Sequence, residues 1–207
     1  MQPNNAKPTA RAKLMDAAVA MIRKKGFCAT TVDDLCHHAG VTKGAFFHHF
    51  PSKEALGVAA ADHWSNMTGE LFAAAPYHDH ADPLHRVLGY IDYRKSILQG
   101  DLPEFTCLVG TMVQEVYDTA FAIREACRAS IFGHAETLEA DIAEAIERCG
   151  VKADWTPKSL ALHTQAVLQG AFILAKANGG PEAAADSIDH LKRYVSLLFN
   201  RPEPNEV

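Results

Sequence analysis

Apolar positions recur every three or four residues along almost the whole chain, and no run shows the period-two alternation of a half-buried strand. Leu14, Ala18, Met21 and Ile22 share one face of a first helix. Its expected end is Lys24-Lys25-Gly26: two cations suit the last turn, and Gly26 suits a left-handed C-cap with Phe27 as the apolar residue that follows. Thr31-Val32-Asp33-Asp34 resembles a capping box and opens a second helix whose inner face is Val32, Leu35, Cys36 and Ala39. Gly40 stops it. Thr42 caps a short third helix, Lys43 to His49, which ends before Pro51. Ser52 caps a long fourth helix to about Ala75.

Helices are expected further on at 83–98, 104–117, 119–149, 157–178 and 182–199. Asn178-Gly179-Gly180-Pro181 acts as a stop and restart. The pattern predicts an all-α protein of about nine helices, with no fixed-period repeat. The apolar stretch 159–175 contains His163, Gln165 and Gln169 and falls short of the roughly 20 apolar residues of a membrane span, so it reads as a buried helix. Residues 1–8 and 201–207 are polar and proline-bearing, a flexible arm and tail.

Charge sharpens the picture. Of the 207 residues, the first 53 carry eight Lys/Arg against three Asp/Glu, whereas the remainder carry twelve against twenty-two. A basic head on an acidic body points to a polyanionic partner for the head. The five cysteines form no Cys-x-x-Cys, which argues against a zinc ribbon or a disulfide scaffold. With no apolar signal-peptide core, a cytoplasmic location is expected. Neither His-x-x-x-His nor Glu-x-x-His occurs, so no metal or other cofactor is expected, and no nucleophile–base motif or phosphate loop marks an enzyme. An enzyme on a helical scaffold, or an adaptor that binds no DNA, leaves the basic head unexplained.

Two short helices joined through a glycine turn, after a supporting helix, form a helix-turn-helix. In that motif the second short helix enters the major groove of DNA. The segment from Arg11 to Leu56, "RAKLMDAAVAMIRKKGFCATTVDDLCHHAGVTKGAFFHHFPSKEAL", resembles the DNA-binding domain of the TetR family of bacterial transcriptional repressors. The likeness lies in Gly-Phe after the first helix, Thr-Thr-Val, Ala-Gly-Val, Thr-Lys-Gly, an aromatic run ending in Phe, and Ser-Lys-Glu.

The resemblance implies a DNA-binding head at 9–53 and a ligand-binding and dimerisation domain at 54–200. It places Thr42 and Lys43 on DNA at the start of the reading helix, with Gly44 allowing close backbone approach. Phe47 and His48 stand where relatives often carry Tyr-Tyr or Tyr-His, and Phe47 lacks the phenolic donor. His49 matches a phosphate-contacting His or Tyr, and Lys53 a phosphate-contacting lysine. Thr31 caps the second helix and is a further phosphate donor. Phe46 and Phe50 are expected in the head's core.

For the remainder, the resemblance implies a homodimer through the last two long helices and a palindromic operator released by a small, mostly apolar molecule. Candidate ligand-facing residues are Tyr90, Tyr93, Cys107, Met112, Phe121, Cys127, Gln169 and Phe172, all of which equally suit a helical core. Leu160, Ala161, Ala166, Val167, Gly170, Ala171 and Leu174, with Leu191, Tyr194, Val195, Leu198 and Phe199, suit either the dimer or an intramolecular core. Cys107, in "CLVGTMVQEV", also resembles a position where some relatives sense electrophiles, which gives a thiol-sensing repressor as the alternative.

Overall fold

The structure is a computed structural model that describes residues 8–201. The expected arm and tail, apart from Pro8 and Arg201, lie outside the described residues. Among those residues the regular structure is eleven α-helices and one 3-10 turn, with no strand. They are α1 (Ala10–Lys25), α2 (Val32–Ala39), α3 (Lys43–His49), α4 (Lys53–Ala73), the 3-10 turn Pro76–Asp79, α5 (Pro83–Ser96), α6 (Leu102–Phe105), α7 (Leu108–Val116), α8 (Phe121–Glu136), α9 (Glu139–Cys149), α10 (Pro157–Asn178) and α11 (Glu182–Leu198).

The all-helical reading holds, but two expected helices each divide in two. The first, 104–117, breaks at Thr106, whose extended backbone (φ −85°, ψ 159°) closes α6. The second, 119–149, breaks at Thr137-Leu138 with neither glycine nor proline to announce it. There the Thr137 hydroxyl donates to the His134 carbonyl at 2.7 Å, a local bond that competes with the helical ladder. The expected left-handed cap at Gly26 is also corrected. Its φ is +88° but its ψ is 163°, a conformation still costly for any residue with a Cβ.

The chain forms two compact units. One comprises the described residues up to Asn66 together with Leu108–Ser130. The other comprises Met67–Cys107 together with the described residues from Ile131 onward. In the first, α1 packs on α2 and α3, and Leu14, Ala18, Ile22, Leu35, Phe46, Phe50 and Leu56 are buried, none above 4% exposure. Each fully buried Leu or Phe contributes roughly 1.5–3 kcal/mol, so a core of this size orients the short α2 and α3 that would not be helical alone. In the second unit, Leu84, Val87 and Ile91 of α5 pack with Ile142 of α9, Leu160 and Leu168 of α10, and Ile188, Leu191 and Val195 of α11. Arg86 of α5 reinforces this, its Nε and Nη2 donating to Asp141 and Glu144 of α9.

Candidate functional site

Local capping positions the head's helices. Thr31 accepts from Asp34 N at 3.1 Å, and Asp34 accepts from Thr31 N at 2.8 Å, the reciprocal pair of a capping box. Asp34 also takes Lys25 Nζ at 2.6 Å. Lys25 first, then the Thr31 amide, holds the Asp34 carboxyl well below the usual carboxylate range. Gly40, in the left-handed region (φ 62°, ψ 41°), turns the chain from α2 into α3. Thr42 then caps α3 by accepting from Ala45 N at 3.1 Å.

α3 is two turns long and divides by face. Phe46 (0% exposed) and Phe50 (4%) enter the core. Thr42, Lys43, Gly44, Phe47 and His48 point outward, and His49 is half-buried. Phe47 is 55% exposed although it is one of the largest apolar side chains in the head, so its surface is held open rather than buried. Lys43 pairs with Asp33 of α2 at 2.7 Å, a solvent-facing contact that keeps the lysine protonated.

Two expected DNA contacts are differently placed. Lys53 Nζ donates to the carbonyls of Phe27 and Thr30, both at 3.0 Å, and lies 4.5 Å from the Phe27 ring centroid. Its ammonium therefore holds the turn between α1 and α2. Thr31 Oγ1 donates to Asp34 at 2.7 Å, so its proton is already engaged. Glu115 of α7, in the same compact unit, supports the head in a way that the sequence pattern did not disclose. Its carboxylate accepts from Cys28 N at 2.7 Å, and a Cβ on Gly26 would lie 2.0 Å from its Oε1. No local signal links positions 28 and 115; only the fold joins them.

The eight candidate ligand-facing residues are divided between the two units. Met112, Phe121 and Cys127 belong to the unit that contains the head, the other five to the second unit. Met112 and Cys127 are fully buried, whereas Phe121 is 67% exposed at the start of α8. Phe172 packs with Phe105, and the half-buried Cys107, directly before α7, lies against the same cluster. Gln169 is half-buried on α10. Tyr90 and Tyr93 both contact the Phe72 ring, at 5.6 and 5.5 Å.

Around Tyr90 lies a polar group that sequence reasoning largely passed over. Gln165 Nε2 donates to the Tyr90 hydroxyl at 2.9 Å, and that hydroxyl lies 3.0 Å from His134 Nε2. Burial, with the positive charge of Arg94 second, lowers the His134 pKa to about 3. Its ring is therefore neutral and shares a hydrogen bond with the tyrosine hydroxyl through Nε2. Arg94 Nη2 lies 3.5 Å from Gln165 Oε1, and the guanidinium sits 4.7 Å from the Phe72 ring centroid. The one available signal was Gln165, a polar residue inside the apolar run of α10.

A capped two-helix element with an outward polar–aromatic face, set on a basic head, defines a helix-turn-helix DNA-binding protein. Family models agree. "Bacterial regulatory proteins, tetR family" matches residues 14–60, and "Tetracyclin repressor-like, C-terminal domain" matches residues 83–191. The transcriptional regulator AcuR of Cereibacter sphaeroides is 27% identical over 177 residues, covering 84% of this chain and 79% of that protein. The transcriptional repressor DhaR of a Mycobacterium species is 23% identical, covering 97% and 96%. A shorter match, 38% identical over 56 residues, spans 27% of this chain and 19% of the regulator YerO of Bacillus subtilis. A TetR transcriptional regulator from Chloroflexus aurantiacus superposes with a TM-score of 0.79 at 26% identity, covering 90% of this chain and 94% of that one. The chain belongs to the TetR family of transcriptional regulators, with a DNA-binding helix-turn-helix head. No helix among the described residues is long and apolar enough to cross a membrane.

Proposed function

We propose that the protein is a cytoplasmic homodimeric repressor that binds a palindromic operator through residues 9–53 and is released by a small ligand held within residues 54–200. The observation that carries the reading is α3: its apolar face is locked in the core while Thr42, Lys43, Gly44, Phe47 and His48 face outward. Thr42 and Lys43 meet DNA where α3 begins, Phe47 packs on a thymine methyl or a sugar edge, and His48 and His49 lie along a phosphate strand. Lys53 and Thr31 serve by holding the α1–α2 turn and the α2 cap.

The outer faces of α10 and α11 support a dimer. Leu160, Ala161 and Ala171 turn inward, but Ala166, Ile173 and Leu174 are exposed, with Gly170 between them and open space beyond its Cα. On α11, Tyr194 and Leu197 are 45% and 62% exposed. Such a stripe of small and apolar residues fits a helix packed closely against a second copy. Two heads also supply the phosphate contacts that one lacks, on half-sites about 34–36 Å apart.

Selection of bound duplexes from a random pool tests the reading. It should return a palindrome bound by two chains; recovery of no sequence above background would sink it. Thiol sensing remains a second reading, supported by the place of Cys107 directly before α7. It fails if Cys107→Ser releases DNA normally on treatment with an electrophile.

A further inference from the structure

Two arginines of α5 are in opposite states. Arg86 uses the Nε–Nη2 edge of its guanidinium to hold Asp141 and Glu144. Arg94, two turns later, presents the same edge to no carboxylate among the described residues. Its Nε is sealed from solvent without a hydrogen-bond partner, and Nη2 has only the long contact to Gln165 Oε1 at 3.5 Å. A guanidinium is charged at all physiological pH values, and sealing an unpaired donor is unfavourable. The rings of Phe72 and Tyr90, 4.7 and 5.6 Å from the guanidinium carbon, offset part of that cost but do not accept from Nε in its plane.

The neighbours are arranged around that charge. Arg94 faces the Gln165 amide oxygen, the amide nitrogen donates to Tyr90, and the Tyr90 hydroxyl is hydrogen-bonded to His134 Nε2. The network supplies dipoles but no anion and no second cation. Aromatic faces of Phe72, Tyr90 and Tyr93 wall the group.

We infer that the Nε–Nη2 edge of Arg94 is the docking point for the carboxylate of the releasing ligand, a small organic monoacid whose apolar body lies against Phe72, Tyr90 and Tyr93. A planar carboxylate matches the edge bidentately, whereas a phosphate dianion would call for more donors than this group holds. Because Nε is closed to water, the acid seats only when the packing over that edge opens. Occupancy is thereby coupled to the arrangement of α5 and α10 and of Phe72, near the end of the helix that begins at Lys53. The inference rests on the ligand-released regulator reading and gives the small, mostly apolar ligand one anionic group.

The test uses the full chain with sodium benzoate and sodium hexanoate against benzamide and hexanamide, at equal ionic strength. Thermal unfolding and operator release are both followed. The acids at millimolar concentration should raise the melting temperature by about 3 °C and release operator, and the amides should do neither. Arg94→Met should keep operator binding, melt no lower than the wild type and lose the response to both acids; Arg94→Lys should retain part of it. An equal response to amides, a response that survives Arg94→Met, or no response to either acid overturns the inference. So does a lower melting temperature for Arg94→Met, which would make the arginine a packing residue. Operator release by an amide alone would refute the carboxylate yet leave the regulator standing. Failure to bind any operator would refute the regulator, with the melting arms still deciding the acid site.

Discussion

Replacing Lys43 by alanine removes one exposed cation from the start of α3 without touching the core, since Lys43 is exposed and pairs with Asp33 across the surface. A homodimer loses two such cations. If each meets one phosphate, the slope of log affinity against log salt becomes shallower by about 1.8, from roughly 0.9 per phosphate. Between roughly 50 and 200 mM salt the variant's deficit relative to wild type should then shrink about twelve-fold. Fluorescence anisotropy with a labelled operator duplex reads both quantities, with circular dichroism confirming the helical fold. Asp33→Asn is the complementary change: it frees Lys43 and should tighten binding a few-fold with the slope preserved. A guanine contact instead of a phosphate contact would leave the slope nearly intact and confine the loss to operators carrying that base pair. Unchanged affinity and unchanged slope together would refute α3 as the reading helix.

Gly26→Ala imposes a positive φ on alanine and pushes Glu115 away from Cys28 N, a combined loss of about 2–3 kcal/mol and a drop of roughly 4–12 °C in melting temperature. Glu115→Ala alone should cost about 1 kcal/mol. The double variant should melt with Gly26→Ala, so additive losses in calorimetry would contradict the shared contact. His134 has a folded pKa near 3 against an ordinary 6.5, so the unfolded chain takes up its proton first and stability falls as pH drops below 6.5. That loss reaches about 2 kcal/mol by pH 5, a range in which Asp34, whose ordinary value is 3.8, has hardly begun to titrate. Urea titrations at both pH values should show the loss in wild type and not in His134→Gln. Leu174→Glu combined with Leu197→Glu places charge on the exposed stripe and should leave a folded monomer by light scattering, with operator affinity reduced at least ten-fold. A folded variant that stays dimeric would move the interface elsewhere.

The head was legible because its rules are local. Thr31 with Asp34, Gly40, and Thr42 with Ala45 each act within four residues, and the periodicity of Leu14, Ala18 and Ile22 is a property of one helix. Phe46 and Phe50 separate from Phe47 by the 100° step of a helix, so inward and outward residues could be told apart before any tertiary contact was known. The stop at Gly179 and the whole of α10 were equally local.

Contacts between distant positions were closed to such reasoning. The lysine that opens α4 resembles a phosphate contact, but the fold brings the carbonyls of Phe27 and Thr30 to Lys53 and uses its charge there. Phe121 reads as core by composition, yet the first turn of α8 leaves it in solvent. Tyr90 and Gln165 stand 75 positions apart and share a hydrogen bond only because α5 and α10 are packed in one unit. Helix type and capping are short-range energies written along the chain. Which buried polar group finds a partner, and which, like Arg94 Nε, is left without one, depends on how whole helices are placed.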